Sequence, residues 1–132
     1  MAQHMWEWPW RLHYRYSVTG MNSGHTRAMI DEDPVLNAVR AGLMKTYGER
    51  IERAVVFGSR VRGQARPDSD YDVAVFLYDF GDRFQEVRRL ADLQVSIMDA
   101  HNVFIDVMPF AAGSWAERTQ FMHDIRHEGL DL

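Results

Sequence analysis

The stretch VVFGSRVRGQARPDSDYDVAVF, Val55 to Phe76, joins two runs of apolar β-formers through a polar, arginine-bearing loop. The first run breaks at Gly58-Ser59. The second opens on Asp70 and Asp72, one residue apart. Side chains along a strand alternate between its faces, so these two carboxylates point the same way while Tyr71 and Val73 point the other. Two carboxylates about two strand rises apart repel, and one resists ionisation unless a cation lies between them. Ser or Thr would stand there without that cost, so a bound divalent cation is the simplest cause. With oxygen ligands and no cysteine in the chain, the cation expected is Mg²⁺ or Mn²⁺. The alternative is an acidic strand end that merely faces water.

Working outward, Asp33-Pro34 is a helix start, an N-cap followed by proline at the first helical position. Leu36, Val39 and Leu43 continue it as a narrow apolar stripe, and Gly48 is the stop. Ile51 to Phe57 reads as a strand, Gly58 to Ser69 as a loop, and Asp70 to Leu77 as a second strand. A turn over Asp79–Asp82 leads to a helix with Phe84, Val87, Leu90, Ala91, Val95 and Met98 as its inward stripe, ending near Ala100. Val103 to Met108 reads as a third strand, closed by Pro109 and Gly113. Ser114 and Glu117 match a capping box, opening a last helix that turns Trp115, Met122 and Ile125 inward and ends by Gly129. The fold expected is α/β (α+β): a small mixed sheet of three or more strands with helices packed on it.

This layer accounts for residues 34–132. Residues 1–33 read differently, with Trp6, Trp8, Trp10, Tyr14 and Tyr16 all at even positions before a polar tract. Two readings stand: a disordered leader, with Met21 as the natural first residue, or an aromatic arm that docks on a partner.

The chain has 132 residues, 46% hydrophobic and 26% charged, which suits one small domain with a core. It contains no cysteine, so disulfides and thiolate chemistry are excluded, in keeping with a cytoplasmic location. No apolar run reaches the roughly 20 residues of a membrane helix. A formal net charge of −4 argues against gripping long nucleic acid, which takes a basic surface.

Within the central stretch, Gly58 lets the backbone approach a ligand closely, and backbone N–H groups at a helical turn with the Ser59 hydroxyl suit phosphate oxygens. Arg60, Arg62 and Arg66 either meet a triphosphate or form a solvated loop balanced by nearby acids. A third acid, Asp106, lies within the apolar run NVFIDVMPF, where a lone carboxylate is costly to bury unless it is paired or metal-bound; at a sheet rim it simply faces water. Three carboxylates around two ions suit in-line displacement at phosphorus. Two near-matches fail. Gly58 and Gly63 have P-loop spacing, but Gln64-Ala65 stands where Lys-Ser/Thr is needed. Asp68, Asp70 and Asp72 open like an EF-hand, but Val73 replaces its turn glycine. His123 and His127 are spaced i, i+4, without the HExxH pattern, and read as a solvated helix face.

Gly58-Ser59, Asp70-Tyr71-Asp72 and Asp106 on a later strand together resemble the DNA polymerase β-like nucleotidyltransferase superfamily, and within it the minimal nucleotidyltransferases, whose members are often antitoxins of HEPN-domain toxins. The resemblance runs from about Pro34 to Leu132, including the closing IRHEGLDL. It implies that Asp70 and Asp72 bind two Mg²⁺ ions, and that Asp106 binds the catalytic one and helps activate the incoming hydroxyl. It also implies that Gly58 and Ser59 hold the β- and γ-phosphates of ATP. The implied reaction is transfer of AMP to a hydroxyl, a tyrosine of a HEPN toxin. Two alternatives are a subunit of a small-molecule transferase of the aminoglycoside type and a non-catalytic antitoxin that acts by binding.

Overall fold

The computed structural model describes residues 30–61 and 70–132. Helix α1 spans Pro34–Tyr47. Its N-cap Asp33 accepts hydrogen bonds from the backbone N–H of Val35 (2.8 Å) and Leu36 (3.3 Å), satisfying two of the first-turn donors. Gly48 closes the helix at φ +53°, and its left-handed φ suits the residue without a side chain. Ile30 lies before this cap and is buried in the same core as Val39 and Leu43. The aromatic arm lies outside the described residues.

Four strands follow: β1 (Ile51–Phe57), β2 (Tyr71–Leu77), β3 (Ile105–Ala111) and the short β4 (Leu130–Asp131). They form one sheet in the order β3-β2-β1-β4. β1 is antiparallel to both of its neighbours, and β2 and β3 are parallel, joined by helix α2 (Arg83–His101). The mixed α+β fold expected from the sequence is therefore present, with β4 as a strand the sequence reading did not include. A two-residue strand carries too little period to be seen in advance, yet it brings buried Leu132 back to β1, where its N–H donates to the Ala54 carbonyl at 3.0 Å.

Residues of alternating parity divide between two cores. Tyr71, Val73, Val75 and Leu77 of β2 pack with Ala54 and Val56 of β1 beneath α1 and α2. Ala74 and Phe76 pack on the opposite face with Val55 and with Met122 and Ile125 of helix α3 (Gln120–Glu128). This second core is aromatic: Phe76 stacks on Phe110 at 5.4 Å between centroids and meets the Trp115 edge at 5.7 Å. Arg53, fully buried, lies with its guanidinium carbon 3.6 Å from the Trp115 centroid, and its Nε is 3.5 Å from Asp131 Oδ1. Burial lowers its pKa to about 10, against the opposing pull of Asp131.

Three local expectations are corrected. Pro109 does not close β3 but sits inside it, opposite Val75. The reason is position: β3 is an edge strand, and the N–H of Val107, two residues earlier, already points away from β2 to the side-chain carbonyl of Gln94. Pro109 shares that outward side, so its missing donor costs the sheet nothing. The Ser114–Glu117 box opens no α-helix. Ser114–Ala116 is a 3₁₀ turn without a side-chain cap, and α3 starts after Thr119, whose hydroxyl accepts from the Met122 N–H at 3.1 Å. The inward stripe of α2 is also displaced. Leu90, Ile97 and Glu86 are its buried residues, while Phe84, Val87 and Val95 are exposed. Glu86 tolerates burial because Arg89 (2.9 Å) and Arg50 (3.4 Å) pair with it.

Candidate functional site

The register across three strands sets the site. Phe57, the last residue of β1, pairs with Asp72 of β2, and Asp72 pairs with Asp106 of β3. Paired residues on neighbouring strands project to the same face, so Asp72 and Asp106 stand side by side on the face that carries α3. Asp70, two residues before Asp72 and exposed, belongs to the same face at the mouth of β2. Asp72 is partly buried and Asp106 is exposed at the rim.

Directly after Phe57 the backbone turns. Gly58 adopts φ +87°, and its carbonyl accepts from the Val61 N–H at 3.1 Å, closing a tight turn around Ser59 and Arg60. A Cβ placed on Gly58 would stand 2.6 Å from Oδ2 of Asp72. Glycine is thus required twice here, for its left-handed φ and for the approach of bare backbone to a carboxylate.

Between this turn and α3 lies an open cleft of about 470 Å³. Phe57, Gly58, Ser59, Asp70 and Asp72 form one wall, and Phe121, Asp124, Ile125 and Glu128 form the other. Asp106 adjoins Asp72 but does not line this cleft. Asp124 and Glu128 were missed from sequence. Their signal was present, since Phe121, Asp124, Ile125 and Glu128 share one helix face by i, i+3 and i+4 spacing, but nothing local in the sequence sets that face opposite the Gly58 turn.

Of the arginines proposed for phosphate, Arg60 lies with its guanidinium carbon 4.1 Å from the Tyr71 ring centroid, on the opposite side of the strand from Asp72. Arg62 and Arg66 lie outside the described residues. Tyr71 donates its hydroxyl to Asp33 Oδ2 at 2.8 Å. Burial, reinforced by that bond, pushes its pKa up to about 12. Asp33 therefore fastens the start of α1 to the strand that carries the acids. The His123 and His127 rings lie 4.1 Å apart on α3.

Among the described residues, no three acidic or histidine side chains are gathered closely enough to hold an ion as they stand. The donor set nonetheless suits a hard divalent cation. Asp72 and Asp106 are carboxylate neighbours by register, and glycine at position 58 puts no Cβ against Asp72 Oδ2. Among the described residues, no helix is long and apolar enough to cross a membrane.

Residues 41–129, well over half of the chain, match the family model described as "Polymerase beta, Nucleotidyltransferase". Among solved structures, the chain is similar to a toxin–antitoxin crystallised with AMP-PNP, at 19% identity and TM-score 0.55 over 72% of this chain and 69% of that one. It is also similar to a mutant form of the MntA–HpeT toxin–antitoxin, at 17% identity and TM-score 0.52 over 72% and 69%. A nucleotidyltransferase from Sulfolobus solfataricus aligns over 86% of this chain and 87% of its own, at 14% identity and TM-score 0.50. At such identities the likeness is one of fold. No curated protein matches the chain.

Proposed function

Because the chain belongs to the polymerase beta nucleotidyltransferase family, we propose that it is a divalent-metal-dependent enzyme that moves AMP from ATP to a tyrosine hydroxyl of a HEPN-domain toxin, and so acts as that toxin's antitoxin. The observation that carries this reading is the pairing of Asp72 with Asp106 beside the Gly58 turn. Support for the nucleotide comes from the similar toxin–antitoxin that holds AMP-PNP, an ATP analogue.

Asp70, Asp72 and Asp106 would hold Mg²⁺, which supplies charge neutralisation at the triphosphate and lowers the pKa of the attacking hydroxyl. The protein's own contribution is positioning. The turn at Gly58-Ser59 receives the β- and γ-phosphates on backbone N–H groups and the Ser59 hydroxyl. Asp106, at the rim, accepts the proton of the incoming hydroxyl. The acceptor oxygen bonds to the α-phosphorus, the bond from that phosphorus to the bridging oxygen breaks, and pyrophosphate leaves with the electron pair. The cleft is open and the fold is small, so the surface that encloses the acceptor comes from the partner.

The test is incubation of the full chain with isotopically labelled ATP, Mg²⁺ and a purified all-helical HEPN-domain protein, followed by intact-mass analysis. A partner heavier by whole AMP units, with label on tyrosine, is the expected result. Toxin inhibition with no mass gain would leave a binding antitoxin. Label on an aminoglycoside and never on protein would assign the small-molecule reaction.

A further inference from the structure

The wall of the cleft that faces the Gly58 turn carries a ring and a carboxylate that the proposed reaction does not yet use. Phe121 meets the Phe57 ring in a T-shape, 5.7 Å between centroids, and lies 5.7 Å from Phe110. Those two rings belong to β1 and β3, on either side of β2, so Phe121 is held over the strand that carries Asp72. It is nonetheless 40% exposed, and it lines the cleft. A ring braced by two others, with its remaining surface open, is a stacking platform. Three residues on, Asp124 also lines the cleft, and its Oδ1 accepts from Gln120 Nε2 at 2.8 Å. That bond steadies the carboxylate by one oxygen and leaves the other to accept from a ligand donor.

We propose that Phe121 and Asp124 form the nucleoside seat of this cleft: the base stacks on Phe121, and a ribose hydroxyl donates to Asp124. The assignment rests on the nucleotide reading above and adds to it the residues that hold ATP beyond its phosphates. Order along α3 selects these roles. β4 follows α3 directly and pairs with Val55 and Val56 of β1. The Glu128 end of the helix is thereby tied to the strand that runs into the Gly58 turn, the seat assigned to the phosphates. At 1.5 Å per residue, Asp124 lies about 6 Å from Glu128 along the helix axis, and Phe121 about 10 Å. With increasing distance from the turn, this wall presents a carboxylate and then a ring. A nucleoside triphosphate presents its sugar and then its base in the same order. Charge agrees with that order. A carboxylate beside a sugar meets hydroxyl donors, whereas beside a phosphate it meets only like charge. Stacking, for its part, asks for no donor or acceptor on the base.

The test is equilibrium binding of ATP, 2′,3′-dideoxy-ATP and inorganic tripolyphosphate to the full chain, with Mg²⁺ and no acceptor protein. The parent should bind ATP about tenfold more tightly than dideoxy-ATP, which lacks the donors, and Asp124→Asn should shrink that ratio to about twofold. Using the ratio cancels the general gain in anion binding that follows from removing a negative charge. Phe121→Leu keeps apolar bulk but loses the ring, so it should weaken ATP about tenfold. Tripolyphosphate should bind that variant as it binds the parent, which also shows the variant to be folded. Phe121→Tyr, which keeps the ring, should restore most of the loss. Equal binding of ATP and dideoxy-ATP by the parent would overturn the proposal, as would a ratio that survives Asp124→Asn. ATP binding indifferent to Phe121→Leu, or weakened as much by Phe121→Tyr, would overturn it equally. Failure of both ATP and tripolyphosphate to bind the parent would instead remove the nucleotide reading itself, and the seat with it.

Discussion

The two faces of one strand differ sharply in what they are built to do. On one face of β2, Tyr71, Val73, Val75 and Leu77 are all buried beneath α1 and α2. On the other, Ala74 and Phe76 are buried under α3, but Asp72 and, before the strand, Asp70 open into the cleft. One face spends its whole length on burial, the main source of folding free energy. The other gives up one end of that burial to hold like charges side by side. Stability and chemistry are thereby separated by a single step along the backbone, and substitutions on alternate residues should affect one and spare the other.

The largest separation is expected at Asp72. Asp72→Asn keeps the shape and removes the charge, so the proposed AMP transfer should fall about a thousandfold, the equivalent of roughly 4 kcal/mol of transition-state stabilisation. Its melting temperature should hold or rise, because a like-charge neighbour of Asp106 is gone. Asp106→Asn should behave alike. Transfer by both variants at the parent rate would break the division of labour. Leu77→Ala, on the buried face, should do the reverse: a loss of about 3 kcal/mol in denaturant titration, with transfer kinetics per folded molecule unchanged.

Gly58→Ala should cross the divide. It puts a side chain at φ +87° and 2.6 Å from Asp72 Oδ2. A destabilisation of about 1 kcal/mol should accompany a loss of transfer of up to a hundredfold from misplacement of the carboxylate. The smallest effect is expected at Tyr71. Its hydroxyl is neutral in the fold to about pH 12, above the ordinary value of 10, so the stability it confers is complete below pH 10 and is lost as pH rises toward 12. Tyr71→Phe should cost about 1 kcal/mol at pH 7 and should flatten that alkaline limb, as read from urea midpoints between pH 9 and 12.

What could be read from sequence was what local chemistry decides. The Asp33-Pro34 cap, the span of β1, the start of β2 at its acids and the need for glycine at position 58 all follow from short-range rules, and the structure bears them out. Long-range partners were less legible. The inward stripe of α2 was misassigned because the helix carries two apolar flanks, and only packing against β3 and α1 decides which is buried. The burial of Glu86 was not legible because its partner Arg50 lies 36 positions away. β4 was too short to carry a pattern, and Asp124 and Glu128 gained meaning only once α3 was folded over the turn at Gly58.

The pairing of Val55 with Asp131 and Val56 with Leu130 has a consequence during synthesis. About 75 residues separate the partners, so a ribosome adding 5–20 residues per second needs several seconds to deliver the second half of that contact. Throughout the interval, the nascent chain holds Arg53 without the strand whose Asp131 answers its charge. A newly made molecule can close this edge of the sheet only after residues 130–132 have left the ribosome.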